Sequence, residues 1–266
     1  MILVNVLMMV AIAAAMVTLM LDSEAPALDR ATVFRDGLQA LAIARGGELT
    51  AIAALRRDLK DGAESDDRTE AWAKVAQTAT PIEGGTFALA IDDGQGRFNI
   101  NAAGGAGEPV LAAITTALRI DPDVASRIAA SITERGPVSE VAELARAGID
   151  DATLDQLRAL VTALPGTAPV NVNAASPALL GILVGDAVGG RLLGDRRDRA
   201  GKLTALDFTA TNLRLPPGAG FTSDHFIVTT VVRQGAQTVT LTSLLERRHG
   251  PTPAVVAIAR WRGKAP

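Results

Sequence analysis

The chain has 266 residues, 48% of them hydrophobic and 3% aromatic, with no cysteine and no tyrosine. A formal net charge of −3 is too small an imbalance for general nucleic-acid binding, and the lack of cysteine excludes a disulfide framework and thiolate chemistry. The length leaves room, beyond any anchor, for one large domain or two small ones.

Residues 1–21 contain no Asp, Glu, Lys, Arg or His and are apolar except for Asn5 and Thr18. As one helix they span roughly 30 Å and satisfy their own backbone, so they read as a membrane anchor. A cleavable secretory signal is the alternative, but it needs a basic start, and no basic residue precedes Arg30. The expectation is therefore a chain already processed, or one lacking a short basic leader. Asp22 and Glu24 follow the anchor, and the part beyond it is expected to be exported.

Phe34, Leu38, Leu41, Leu49, Ile52, Leu55 and Leu59 recur near a helical period, so the helix is expected to continue outward and to stop near Gly62. Pro26 is expected to kink or interrupt it, and Gly46-Gly47 to weaken its middle. A short helical segment at residues 71–76 precedes a strand at 86–91, which the hairpin turn Asp92-Asp93-Gly94-Gln95-Gly96 closes before Phe98 to Asn101 continue extended. Residues 109–164 read as helices punctuated by Asp121-Pro122, Gly136-Pro137 and Pro165-Gly166. After extended Val170 to Asn173, helices are expected at 177–184 and 188–197. Strands return at 225–233 and 238–246, forming a hairpin with one wet face, and again at 254–261. The order predicts a sheet packed on the long helix, with a helical block inserted between strands.

Three motifs resemble the minor pseudopilin K family of type II secretion systems. One is Asp93-Gly94-Gln95-Gly96-Arg97-Phe98-Asn99-Ile100-Asn101, the second runs from Pro169-Val170-Asn171-Val172-Asn173 to Leu180, and the third is the anchor followed by an amphipathic helix. The resemblance covers essentially the whole chain. It implies an α+β fold, with a pilin-like N-terminal helix packed on an antiparallel sheet and a large all-helical insertion. The corresponding division is an anchor at 1–21, pilin-like parts at 22–103 and 208–266, and an inserted domain at 104–207.

The resemblance further implies a leader removed by a prepilin peptidase, a methylated new N-terminus and a place at the tip of a periplasmic pseudopilus. Its partners there would be the other minor pseudopilins, the major pseudopilin and the inner membrane, and nucleic acid is not expected among them. The assembly residues would be Met1, Asn5, Phe34, Leu38 and Leu41 of the N-terminal helix. Most pilin-like subunits carry a glutamate where this chain has Asn5, an amide that cannot neutralise a neighbour's terminal amine. A subunit so altered suits the top of a filament. The motif residues Gly94, Gly96, Arg97, Asn99, Asn101, Asn171 and Asn173 are expected to be structural, the amides satisfying backbone groups where strands meet the helical block.

Family members bind calcium through an aspartate-rich loop, whereas here Thr133-Glu134-Arg135-Gly136-Pro137 follows Ile132, so no calcium ligand is assigned. Ser223-Asp224-His225 is contiguous at a strand start, which prevents it from forming a triad by itself, and no enzyme is expected. Arg247, Arg248, Arg260, Arg262 and Lys264 read as a solvated basic surface. The rival reading is a membrane-anchored helix-hairpin-helix DNA-binding protein, which the Val170 to Ser176 segment also resembles; against it, Asp186 stands where a phosphate should sit.

Overall fold

The structure, a computed structural model, describes residues 2–62 and 64–263, with side chains at all of these except 19 and 21–28. Its first element, α1 (Ile2–Asp61), is one helix of 60 residues, about 90 Å long at 1.5 Å per residue. Of the kink or interruption expected at Pro26, the interruption does not occur: helical backbone runs through that position. Gly47, expected to weaken the helix, is where the sheet comes closest. A Cβ there would lie 2.8 Å from Thr230 Oγ1 and 3.2 Å from Phe87.

The sheet has five antiparallel strands in the order β1 (Gln77–Ile82), β2 (Gly85–Asp93), β7 (His225–Gln234), β8 (Gln237–Arg248) and β9 (Ala254–Arg262). Alternation sends one face onto α1. Leu89 and Ile91 of β2, Phe226 and Val228 of β7, Leu245 of β8 and Val255 of β9 pack with Ala51, Ile52 and Leu55. Farther toward the membrane end, Val232 and Leu241 meet Ala40 and Ala44. The edge strand β1 has no counterpart among the expected elements.

The chain between β2 and β7 forms a second body with its own core. It holds α2 (Glu108–Ala117), α3 (Asp123–Arg135), α4 (Asp151–Leu157), α5 (Pro177–Val184), α6 (Ala187–Ala200) and α7 (Ala205–Ala210). Two short parallel pairs join its ends, β3 (Phe98–Asn99) with β4 (Val161–Thr162) and β5 (Val170–Asn171) with β6 (Ala219–Gly220). Asp92 to Gly96 is therefore no hairpin turn: a 3-10 turn at Gly94–Gly96 leads the chain off the sheet, and Phe98 pairs with Val161 instead of folding back on β2. Val161, expected on a helix, lies on β4. The helix α7 crosses residue 207, because Thr204 and Asp207 build a capping box that starts it at Ala205.

Candidate functional site

Two features can serve function: the surface of α1, and the polar junction that fixes the helical body to the sheet. The large apolar side chains described between Ile2 and Val17 are exposed, from 82% at Ile2 down to 48% at Ile12. Ile2–Thr18 is an apolar helical stretch, whereas Asp29–Asp61, although hydrophobic enough on average to cross a membrane, has 44% of its most apolar stretch buried inside the protein. One end of the helix is thus free for lipid or other helices, and the other is committed to the sheet. Asn5, Phe34 and Leu38 are exposed and Leu41 is half-buried; Met1 lies outside the described residues.

At the far end of α1, Arg247 of β8 lies buried between two carboxylates, Asp58 of α1 and Asp66 of the following link. Its guanidinium also stacks 4.5 Å from the centre of the Phe226 ring, which Trp72 meets edge-on at 5.0 Å. This corrects the expectation of a solvated basic surface at Arg247; Arg248, Arg260 and Arg262 are exposed, Arg260 while chelating Glu48 of α1 at 2.7 and 2.9 Å. A buried cation needs an anion, and Arg247 has two. Lys264 lies outside the described residues.

Asp66 is the hub of the junction. Its carboxylate accepts from Arg247 Nη1 at 2.5 Å and from the Ser223 amide at 2.7 Å, its amide donates to Phe221 O, and its carbonyl accepts from Asn171 Nδ2 at 2.9 Å. Asn171 Nδ2 also donates to Asp93 Oδ2 at 2.7 Å, while Ser223 Oγ donates to the same oxygen at 2.6 Å. Asp93 Oδ1 accepts from the Gln95 amide. Burial outweighs these donors and pushes the Asp93 carboxyl up from 3.8 to about 6. Burial also lifts Asp58 and Glu70 and depresses His225.

The other motif amides act as backbone clips. Asn99 donates to Leu164 O and Gly166 O and accepts from the amides of Asn101 and Leu164. Asn101 brackets Val138, donating to its carbonyl and accepting from its amide, and Asn173 does the same to Leu203. Gly94 is buried beside His225 O, and a Cβ at Gly96 would lie 2.8 Å from Ala174 O, so only a bare backbone passes there. Arg97 donates to Arg158 O at the wall of a cleft of about 960 Å³, whose floor includes Ile227, Leu244 and Trp261 of the outer sheet face. Burial lowers the Arg97 pKa. Sequence reasoning missed Asp58, Asp66 and Glu48, whose arginine partners lie 181 or more residues away along the chain.

No catalytic triad forms from Ser223-Asp224-His225. The Ser223 hydroxyl is committed to Asp93, His225 Nδ1 faces Gln95 Oε1 at 3.3 Å, and the Asp224 carboxylate meets His249 Nε2 at 2.7 Å. Among the described residues, Asp58, Asp66 and Glu70 form the acidic group close enough to share a cation, their ligand atoms within 4.8 Å of one another. Arg247 already neutralises two of the three, and the last turn of α3 offers only Thr133 and Glu134, with Thr133 Oγ1 bonded to Ala129 O and Gly104 O. The calcium implied by the resemblance does not fit these residues.

The turns α5–Gly185–α6 and Gly148–α4 have the shape of phosphate-gripping hairpins. In each, however, the chain's own carboxylate takes the leading amides: Asp186 accepts from Val188 N at 2.8 Å and Asp150 from Thr153 N at 2.9 Å. A phosphate would meet an anion already in place.

No family model matches the chain. It is 28% identical to the type II secretion system protein K of Pseudomonas aeruginosa, over 86% of this chain and 82% of that protein. Its fold superposes with a TM-score of 0.73 on a chain in the crystal structure of the GspK-GspI-GspJ complex of the enterotoxigenic Escherichia coli type 2 secretion system, covering 89% of this chain and all of that one at 20% identity. The α+β architecture of long helix, antiparallel sheet and helical insertion is shared with that structure, and in sequence the chain is similar to a type II secretion system protein K.

Proposed function

We propose that the chain is a minor pseudopilin, anchored once in the inner membrane with its head in the periplasm, which initiates or caps the tip of the type II secretion pseudopilus. In this reading it assembles with subunits of the I and J types, supports protein export across the outer membrane and performs no catalysis. The observation that carries the reading is the two-part character of α1, bare and apolar over Ile2–Thr18 and bound to the sheet beyond residue 40. Such a helix inserts its free half among other helices and holds a folded head outside the bilayer. The helical body supports a terminal position, because a second core of this size would crowd its copies along a thin filament.

The test is deletion of the gene and complementation with the full chain. Loss of secretion with the exported protein trapped in the periplasm, restored by the intact chain and not by one lacking residues 1–21, is the expected result. Secretion unimpaired by the deletion would overturn the reading.

A further inference from the structure

Between Asp36 and Lys60 the charges of α1 are sorted by sign around the helix. The carboxylates of this stretch turn toward the sheet: Glu48 is buried against Arg260 and Ser243, Asp58 against Arg247, and Asp36 is half-buried beside Arg35 and the Gly235 turn. The cations Arg45, Arg56, Arg57 and Lys60 turn outward and are exposed. Among the described residues none of these four has a carboxylate at ion-pair distance, and Arg56 donates only to Val255 O. From residue 37 to residue 57 the single carboxylate of the helix is the buried Glu48, and exposed Asp61 comes only at its end.

The same outward face carries unpaired apolar bulk. Phe34, Leu38 and Leu49 are 69%, 53% and 62% exposed. Residues 38, 45, 49, 56 and 60 follow one another at spacings of seven and four, so Leu38 and Leu49 share a stripe with Arg45, Arg56 and Lys60. Beside Leu49 a groove of about 310 Å³ opens between the helix and Pro253, walled by Ile52, Arg56, Arg57 and Lys60 and containing no carboxylate.

We infer that this face receives an amphipathic helix of another pseudopilin whose contacting side carries Asp and Glu beside apolar residues. The inference rests on the pseudopilin reading and adds the chemistry of the partner. Three arguments single out that occupant. Apolar contacts give affinity, and a row of exposed cations with no carboxylate at ion-pair distance is complementary to a row of anions. A second copy of this chain is disfavoured, because its matching face presents the same cations. Lipid headgroups are out of range: Arg45 lies 24 residues beyond the anchor's end at residue 21, about 36 Å along the helix, against a screening length of about 8 Å.

The experiment uses the full chain in its native membrane with its own I- and J-type pseudopilins, and a photoreactive residue in place of Leu49. Cross-linking is read for this chain, for Arg56→Glu/Arg57→Glu/Lys60→Glu, and for the unaltered charges at about 0.05 and 0.5 M salt. The expected result is an adduct with the helix of a different pseudopilin that falls about tenfold or more on charge reversal and weakens with salt, and that returns when acidic residues at the mapped contact are changed to lysine. An adduct indifferent to both charge and salt overturns the inference while leaving the pseudopilin reading intact. An adduct with lipid or with a second copy also overturns it. If no pseudopilin is captured from Leu49 or from any other exposed position of α1, both fall. Should the triple variant misfold, Arg57→Glu and the salt series decide by the same criteria.

Discussion

Asn171 donates its side-chain amide to Asp93 across 2.7 Å, so the glycine-arginine motif and the second asparagine motif are two halves of one contact. They lie 78 residues apart in the chain and meet where the helical body leaves the sheet. The same amide reaches Asp66 O, and its carbonyl holds the Asn173 amide.

Asn171→Ala is expected to strand two buried groups, the Asp66 carbonyl and the Asn173 amide, and to take one of two donors from Asp93 Oδ2. At about 1–3 kcal/mol for each buried polar group left unpaired, partly recovered by relaxation, the loss should be about 2–4 kcal/mol. Urea unfolding of the full chain in detergent measures it. An unchanged midpoint would mean that the junction is held by apolar contact alone.

The Asp93 carboxyl titrates near 6 in the folded chain against 3.8 in the unfolded one, because burial penalises its charge. The folded state therefore takes up the proton first, and this group's contribution to stability rises as pH falls from about 6 toward 4, by up to about 3 kcal/mol. His225, with its pKa depressed by burial, contributes with the opposite sign over an overlapping range. The difference between the chain and Asp93→Asn removes that background. Unfolding midpoints at pH 7, 5 and 4 should show the unaltered chain gaining on the variant as pH falls; parallel curves would contradict the assignment.

Adjacent glycines of α1 should respond oppositely to alanine. Nothing lies within 4 Å of a Cβ at Gly46, so Gly46→Ala should stabilise by about 0.5–1 kcal/mol through helix propensity. At Gly47 the methyl would press on Thr230 and Phe87, and Gly47→Ala should cost about 1–3 kcal/mol. Denaturant midpoints of the two variants should move in opposite directions.

Asn5 is exposed on the free half of α1. Restoring an acid with Asn5→Glu should leave the head folded and change which subunits neighbour the chain, since a carboxylate can pair with a terminal amine inside packed helices. Membrane cross-linking from residues 2–20 reads the neighbours, and an unaltered set would count against the role given to this position.

Strong periodicity made β7, β8 and α3 legible from sequence, because their apolar positions repeat over whole elements. The edge strand β1 was not, since Gln77 to Pro81 is exposed throughout and carries a proline. Asp92 to Gly96 has the residues of a turn, but local chemistry cannot say which strand the chain meets next, and the partner of Phe98 lies on β4. The asparagines of both motifs were visible by their alternation. Arg247 resembled a surface cation because its neighbours in the chain, Glu246, Arg248 and His249, are all polar, while Asp58 and Asp66 are 189 and 181 residues away.

The attachment of α1 has a mechanical consequence. Its outer end is clamped through Asp58 to Arg247 and its middle is keyed to the sheet at Gly47. Fixed at two places along its length, this half of α1 turns with the sheet as a single piece.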